Sequence, residues 1–139
     1  MAQIKLLSAK LHRAIVTETH KDYIGSISVD QSLMDAVGML PLEEVEIVNV
    51  SNGNRWTTYV LPTEKESGKI CPNGGGAYLC QKGEVLIIFS YVYKNRDDVF
   101  LEGHEAKVLV AGLNNQAEKV FSQKIIPDGN SYSFLNPLQ

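Results

Sequence analysis

Apolar residues alternate with polar ones along most of this chain, and this spacing limits the fold more than any other feature of the sequence. A period of two is typical of β-strands with one face in a core. The segment Ser51-Asn52-Gly53-Asn54 contains the Asn-Gly pair of a tight hairpin turn. Seven strands are predicted: Gln3–Ser8, Arg13–Thr19, Ile24–Val29, Val45–Val50, Arg55–Leu61, Val85–Tyr93 and Ala106–Val110.

A helix is predicted directly after the third of these strands. Asp30 can accept a hydrogen bond as the N-terminal cap, apolar residues follow at helical spacing, and Gly38 can end the helix in the left-handed conformation. A second short helix is predicted over Gly76–Gln81. Many short strands with one or two short helices favour a mainly β fold, a small barrel of six or seven strands, over a βαβ sheet.

The length of 139 residues predicts one domain. A barrel domain is expected over residues 1–120. The chain becomes more polar beyond about Lys119, so residues 121–139 are predicted to form a C-terminal tail. Tyr132 and Phe134 give that tail two aromatic side chains that could pack on a neighbouring molecule.

Charge and hydropathy argue against several classes of protein. The net charge is −3, from 13 basic and 16 acidic residues, and offers no electrostatic surface for a nucleic acid. The longest apolar run, Val85–Ser90, is too short to span a bilayer, and no signal peptide is visible. A cytoplasmic protein with neither a membrane nor a nucleic-acid partner is therefore expected.

The cysteines and histidines show no metal-binding spacing. No Cys-x-x-Cys pair is present, and His12, His20 and His104 are isolated in the sequence. Cys71 and Cys80 are usually expected to be reduced in a cytosolic protein, although the sequence leaves a disulfide open. No metal site is predicted.

The pair Gly25-Ser26 allows two interpretations. An isolated Gly-Ser pair is usually a turn or the start of a strand. The second interpretation is a peptide bond that the protein cleaves in itself. Glycine lacks a Cβ and leaves its carbonyl unhindered, and the serine hydroxyl lies next to that carbonyl. The surrounding residues favour the second interpretation.

Four blocks of sequence occur around and after Gly25-Ser26 in an unbroken order. They are KLHRA from Lys10, YxGS from Tyr23 with Asp30 and Gln31 after it, NVSNGxRxxTY from Asn49, and the Asn-Gly loop at Asn73. Together these blocks resemble the pyruvoyl-dependent aspartate 1-decarboxylase family. The resemblance covers about Ile4 to Asn115.

Three features depart from the pattern of that family. Val48 stands where an aromatic residue often occurs, and the loop reads NGGGAY where many relatives have NGAAAH. Beyond about Val120 the chain matches nothing in the pattern. The first two departures concern the substrate loop rather than the chemistry, and the third leaves the role of the C-terminus open.

The resemblance implies a double-psi β-barrel assembled as a homotetramer. It implies an enzyme that converts L-aspartate to β-alanine and CO2 for pantothenate and coenzyme A biosynthesis. The cofactor would be a covalent pyruvoyl group, formed when the chain cleaves itself between Gly25 and Ser26 into residues 1–25 and 26–139. Neither a metal nor pyridoxal phosphate is implied, because the pyruvoyl carbonyl supplies the electron sink that decarboxylation needs.

The resemblance also implies roles for single residues. Ser26 becomes the pyruvoyl group on which the amine of aspartate condenses. Thr58 stabilises the oxyanion formed during cleavage, Tyr59 donates a proton after CO2 leaves, and His12 helps to polarise the site. Because Thr58 and Tyr59 are adjacent, they face opposite sides of a regular strand, which predicts active sites shared between subunits.

A second set of residues is implied to bind the substrate. Arg55 is the main anchor, because a guanidinium group can bind a carboxylate through two parallel hydrogen bonds. Lys10 is the second candidate for carboxylate binding. The complete implied set is Lys10, Arg55, Thr58, Asn73, Gly74, Gly75 and Gly76.

Two alternatives stay open at this point. One is an uncut barrel that acts as a binding or assembly module, with Gly25-Ser26 as a turn, because small barrels serve many functions. The other is a pyruvoyl decarboxylase for another acidic amino acid. Glutamate is one methylene longer than aspartate, and a methylene changes binding by only ~1–3 kcal/mol.

Overall fold

The computed structural model describes residues 2–138, which form a mainly β fold with two short α-helices. The elements are β1 Gln3–Ile15, β2 Ser26–Asp30, α1 Gln31–Val37, β3 Glu44–Asn49, β4 Arg55–Thr63, β5 Ile70–Asn73, β6 Val85–Asn95, α2 Arg96–Glu102, β7 His104–Ala111, β8 Ala117–Asp128 and β9 Ser131–Leu135. Short 3-10 helices cover Gly74–Tyr78 and Leu113–Asn115.

The strands form one mixed sheet in the order β5-β2-β4-β3-β6-β1-β7-β8-β9. β2 pairs with β4 and β1 pairs with β7 in parallel, and the other pairs are antiparallel. After β1 the chain reaches the far edge of the sheet, where the Thr17 amide donates to the Ile70 carbonyl at 2.9 Å. The sheet therefore curls into a barrel-like shape, as the predicted fold class requires.

Side chains on the concave face of the sheet form the core. Leu11, Ile88 and Ile47 are fully buried, and the strand register places them in one row with Trp56. Full burial of each such aliphatic side chain contributes about 1.5–3 kcal/mol. Since strand residues alternate between faces, the rows on either side of this one face away from the core.

Asp30 connects α1 to the loop between β4 and β5. Its carboxylate is 1% exposed and accepts the Ser32 amide as the helix cap at 2.8 Å. It also accepts the Glu66 and Gly68 amides, each at 2.9 Å. The predicted helix, with Asp30 as its cap and Gly38 in the left-handed conformation at its end, is confirmed.

Several predicted elements were wrong or missing. The strand predicted over Arg13–Thr19 does not exist, because β1 continues unbroken to Ile15 and bulges on either side of Ala9 to His12. Arg13 takes a positive φ of 68° at the second bulge, which hydrophobic spacing does not reveal. β5 and α2 were not predicted, and a 3-10 helix from Gly74 replaces the helix predicted over Gly76–Gln81.

The segment predicted as a tail forms two strands, so the sheet has nine strands over residues 2–138 rather than six or seven. β8 pairs with β7 from Ala117 onward and crosses the predicted boundary at residue 120. β9 then pairs with β8, and the Tyr132 ring packs edge-on against Phe100 of α2. All five residues of β9 are exposed, and β8 is buried nowhere along its length, so the hairpin lacks the buried alternation by which the other strands were predicted.

Neither α1 nor α2, each seven residues long, approaches the length of apolar helix that is needed to cross a bilayer.

Candidate active site

Ser26 is the first residue of β2 and is only 3% exposed, whereas Gly25 lies in the exposed loop before it. The Ser26 hydroxyl donates to the Ile24 carbonyl at 3.4 Å and accepts from Asn73 Nδ2 at 3.0 Å. The first of these bonds points the hydroxyl back along the chain, toward the Gly25–Ser26 peptide. The predicted nucleophile is therefore fixed next to the bond that it would attack.

Asn73 holds this hydroxyl in place from the neighbouring strand. It lies opposite Ser26 in the β2–β5 register and is 5% exposed. Its Nδ2 also donates to the Ser28 hydroxyl at 3.0 Å, and its Oδ1 lies 3.4 Å from Cys71 Sγ. Burial raises the pKa of the Cys71 thiol to about 11, so the thiol is protonated at neutral pH and donates to Asn73. This thiol contact fixes which way the amide points.

Gly74 packs directly against Gly25. It has a φ of 64°, and its amide donates to the His20 carbonyl at 2.8 Å. A Cβ at residue 74 would lie 2.7 Å from the Gly25 α-carbon and 2.8 Å from the Gly25 nitrogen. Only glycine fits both the conformation and the space. The loop after Asn73 therefore constrains the position of the backbone around Gly25.

The next two glycines of the loop differ from Gly74. A Cβ at Gly76 would lie 2.6 Å from Nε1 of Trp56, so this glycine gives the indole room. Gly75 is exposed and has open space where a Cβ would be.

β4 runs beside the Gly25-Ser26 pair and brings Thr58 and Tyr59 with it. Ile27 of β2 pairs with Val60 of β4. Ser26 directly precedes Ile27, and Tyr59 directly precedes Val60, so each lies one residue before a member of this pair. Ile27 and Val60 face the core, which places Ser26 and Tyr59 together on the opposite face. Thr58 faces the other way from Tyr59, toward the core, and pairs with the buried Val45 of β3.

The other predicted site residues lie elsewhere on the sheet. Lys10 shares a row across β1, β6, β3 and β4 with Thr57, and His12 shares the next outward-facing row with Arg55. β1 lies four strands from β2 in the sheet order, a path of roughly 19 Å along the curled sheet at ~4.8 Å per strand. One chain therefore gathers Gly25, Ser26, Asn73 and Gly74, but not Lys10 or His12.

Glu46 binds the guanidinium of Arg55, a partner that the sequence did not reveal. Nε and one terminal nitrogen of Arg55 both donate to Oε1 of Glu46. This bond, more than any other contact, lowers the pKa of Glu46, and Tyr91 donates to its second oxygen at 3.2 Å. Glu46 therefore occupies one edge of the Arg55 guanidinium.

His12 is uncharged at neutral pH. Burial, followed by the positive charges of Lys10 and Arg13, lowers its pKa below the ordinary value of 6.5. Its Nδ1 is buried and has no hydrogen-bond partner within the described chain. A neutral imidazole at this position can accept or donate a proton, and it adds no further charge beside Lys10.

Three further residues lie close to this site without having been predicted. Glu18, His20 and Cys71 come together beside Asn73. Cys71 is distant from the other two in the sequence, and the spacing of Glu18 and His20 matches no metal-binding motif. Cys71 and Cys80 are both free thiols.

A family model described as aspartate decarboxylase matches residues 2–118. The chain belongs to the aspartate decarboxylase family. This match spans Gly25, Ser26, Asn73 and the residues on β4, and it stops at the start of the C-terminal hairpin. Aspartate decarboxylases are carboxy-lyases, so membership identifies the chain as an enzyme of that class.

Curated relatives named aspartate 1-decarboxylase extend the match. The protein from Gloeothece citriformis is 52% identical over 136 residues, which covers 96% of this chain and 87% of the relative. The one from Synechocystis sp. is 50% identical and covers 98% of this chain and 94% of the relative. The Bacillus subtilis protein is 47% identical over 119 residues, covering 86% and 92% of the two chains. The first two alignments are long enough to include part of the hairpin β8–β9.

Replacing Gly74 by alanine is expected to destabilise the protein by on the order of 2–4 kcal/mol, because the new Cβ combines a positive φ with a clash against the Gly25 backbone. Gly75→Ala is the matched control and is expected to change stability by less than about 0.5 kcal/mol. Denaturant unfolding of both variants at equal protein concentration checks this. Equal stability of the two variants would contradict the close packing of Gly74 on Gly25.

Proposed function

We propose that this chain converts L-aspartate to β-alanine and CO2 with a pyruvoyl group made from Ser26, and that it supplies β-alanine for pantothenate biosynthesis in the cytoplasm. The observation that carries the proposal is the buried Ser26 hydroxyl, which Asn73 holds against the Gly25–Ser26 peptide. Family membership supports the same reaction.

The residues around Ser26 fit a pyruvoyl group. Asn73 Nδ2 already donates to the oxygen on residue 26, and the same donor can serve a carbonyl oxygen. The Gly74 backbone packs directly on Gly25, with no side chain between the two, and holds the backbone before residue 26 in place. When formed, the group supplies an electron-withdrawing carbonyl that stabilises the carbanion left by CO2.

Maturation uses the chain's own groups and one water. The Ser26 oxygen attacks the Gly25 carbonyl, the C–N bond breaks and a C–O ester bond forms, and the serine proton passes to the freed amine. Loss of the Ser26 α-proton then breaks the ester, leaving a dehydroalanine at residue 26 and the carboxylate of Gly25. Water replaces the nitrogen of dehydroalanine, and ammonia leaves. Asn73 assists the first step, because a donor to the Ser26 oxygen favours its charged form.

Thr58 and Tyr59 are proposed to act at successive stages. Thr58 lies on β4 two residues before Val60, the partner of Ile27, and its hydroxyl is proposed to stabilise the oxyanion that develops on the Gly25 carbonyl. Tyr59 shares the outward face with Ser26 and is half-buried. Its hydroxyl is proposed to give a proton to the α-carbon of the substrate after CO2 leaves.

Arg55 and Lys10 are proposed to bind the two carboxylates of aspartate. Arg55 is exposed and oriented by Glu46, so the substrate carboxylate either displaces Glu46 or binds the free edge of the guanidinium. Lys10 lies in the neighbouring outward row, and neutral His12 lies two residues further along the same face. The loop residues Gly74, Gly75 and Gly76 are proposed to contribute backbone contacts.

A homotetramer with active sites between subunits is proposed to complete this arrangement. Lys10 and His12 lie four strands from Ser26 within one chain, yet all three lie on the sheet face opposite the core, where Asn73 covers Ser26. A second copy packed on this face can bring its own Lys10 to the Ser26 of its partner. This separation along the sheet of one protomer supports assembly.

Aspartate is favoured over glutamate by the names of the relatives rather than by the site itself. The difference of one methylene changes binding by only about 1–3 kcal/mol, so some glutamate turnover is compatible with the same residues.

Ser26→Ala is expected to abolish both chain cleavage and β-alanine formation, because no hydroxyl remains to attack Gly25. Ser28→Ala is the matched control, since Ser28 shares the Asn73 donor at the same 3.0 Å but is not adjacent to Gly25. Denaturing mass measurement follows cleavage, and chromatography of the products follows β-alanine. Decarboxylation of aspartate by the Ser26→Ala protein would remove the proposed function.

Mixing subunits tests the shared site. Lys10→Ala and Ser26→Ala chains are each expected to be inactive alone. Activity is expected to return when the two are co-expressed, because some sites then combine an intact Ser26 with an intact Lys10 from the partner. Ser26→Ala co-expressed with Tyr59→Phe is the control and should stay inactive, since Ser26 and Tyr59 come from one chain. Co-expression of Lys10→Ala and Ser26→Ala without recovery of activity would place Lys10 and Ser26 in the same protomer's site.

A further inference from the structure

Glu18, His20 and Cys71 form a cluster that the decarboxylase reaction does not use. Their ligating atoms, a carboxylate oxygen, an imidazole nitrogen and the thiol sulfur, all lie within 4.8 Å of one another. Cys71 is 1% exposed, whereas Glu18 and His20 are half-buried at the surface beside it. The cluster is therefore open to solvent on one side and closed on the other.

Backbone pairing builds this cluster. The chain after β1 runs alongside β5, where the His20 amide donates to the Pro72 carbonyl at 3.2 Å and His20 bridges to Asn73. Glu18 and His20 are two residues apart in this extended segment, so their side chains point to the same side. Cys71 on β5 meets them there. The three groups are brought together by the fold and not by a sequence motif.

A network of ion pairs explains only part of the cluster. Glu18 accepts from His20 at 2.7 Å and from Lys69 at 3.1 Å, one partner on each oxygen. The Cys71 thiol takes no part in those bonds and donates instead to Asn73 and the Pro72 carbonyl. Orienting Asn73 does not require the imidazole and the carboxylate that also lie beside the sulfur.

We propose that Glu18, His20 and Cys71 bind a thiophilic divalent cation of the Zn²⁺ class. Zinc takes sulfur, imidazole nitrogen and carboxylate oxygen as ligands, and a zinc site with three protein ligands keeps its fourth position open for water. A thiolate with an imidazole selects zinc over magnesium or calcium, which prefer all-oxygen sites.

Binding requires three local changes. Cys71 releases its proton to solvent, gives up its hydrogen bond to Asn73 and forms the metal–sulfur bond, as coordinated thiols do. Lys69 must leave Glu18, and its side chain is 38% exposed and can turn into solvent. The bond between His20 Nε2 and Glu18 must open, so that a ring nitrogen without a proton faces the metal. No oxidant or reductant is involved.

A bound cation would anchor the segment that leads to Gly25. The His20 carbonyl accepts the Gly74 amide at 2.8 Å and the Tyr23 amide at 3.4 Å, and the His20 ring stacks on Tyr23 at 4.4 Å. Fixing the His20 side chain therefore restrains both the loop before Gly25 and the glycine packed against it.

Cobalt titration of the purified full-length protein tests the site. Co²⁺ is expected to bind one per chain and to give a thiolate-to-cobalt charge-transfer band, and Zn²⁺ should displace it. His20→Ala and Cys71→Ser are each expected to weaken binding by at least about tenfold, the loss that even an outer partner of a metal ligand causes. Cys71→Ser should also remove the charge-transfer band.

Cys80→Ser is the matched control, because Cys80 is the other buried free thiol and lies outside the cluster. It should leave the cobalt band unchanged. His20→Ala alters a half-buried side chain and keeps the test valid if Cys71→Ser folds poorly. Absence of the band in the parent protein, or a band that survives in both His20→Ala and Cys71→Ser, would overturn the proposal. Neither result depends on decarboxylase activity, so the two proposals can fail separately.

Discussion

The hydrogen bond from Asn73 to the Ser26 hydroxyl is the interaction on which the rest of this site depends. Both groups are buried, and a buried polar group without a partner costs about 1–3 kcal/mol, so the fold strongly favours keeping them paired. The pairing of β2 with β5 sets their separation, and the Cys71 thiol sets the direction of the amide. Gly74 follows Asn73 directly, so the same strand also positions the backbone of Gly25.

The sheet divides the chemistry between two regions of its outer face. Ser26 and Tyr59 lie where β2 and β4 run in parallel, whereas Lys10 and His12 lie on β1, four strands away. Arg55 lies on β4 itself but is turned toward Glu46. A single protomer thus holds the groups proposed for self-cleavage close together, whereas Lys10 and His12, proposed to act on the substrate, lie further along the sheet.

Local signals in the sequence predicted the elements that depend on neighbouring residues alone. Asp30 and Gly38 marked the ends of α1 because capping is local, and the Asn-Gly pair marked the hairpin between β3 and β4. The sequence did not reveal the positive φ of Arg13, because the position of a β-bulge depends on the partner strand. Family resemblance placed Ser26 and Asn73 in one site, but Glu46 and the grouping of His20 with Cys71 arise only when distant strands meet.

The denatured mass of the purified protein tests the central claim most directly. The account predicts two fragments, residues 1–25 and residues 26–139, with the larger one lacking a free N-terminal amine and reacting as a carbonyl compound. Such a result would show that the hydroxyl held by Asn73 has cut the chain. A single intact chain of 15.4 kDa that remains intact after warm incubation would contradict the account.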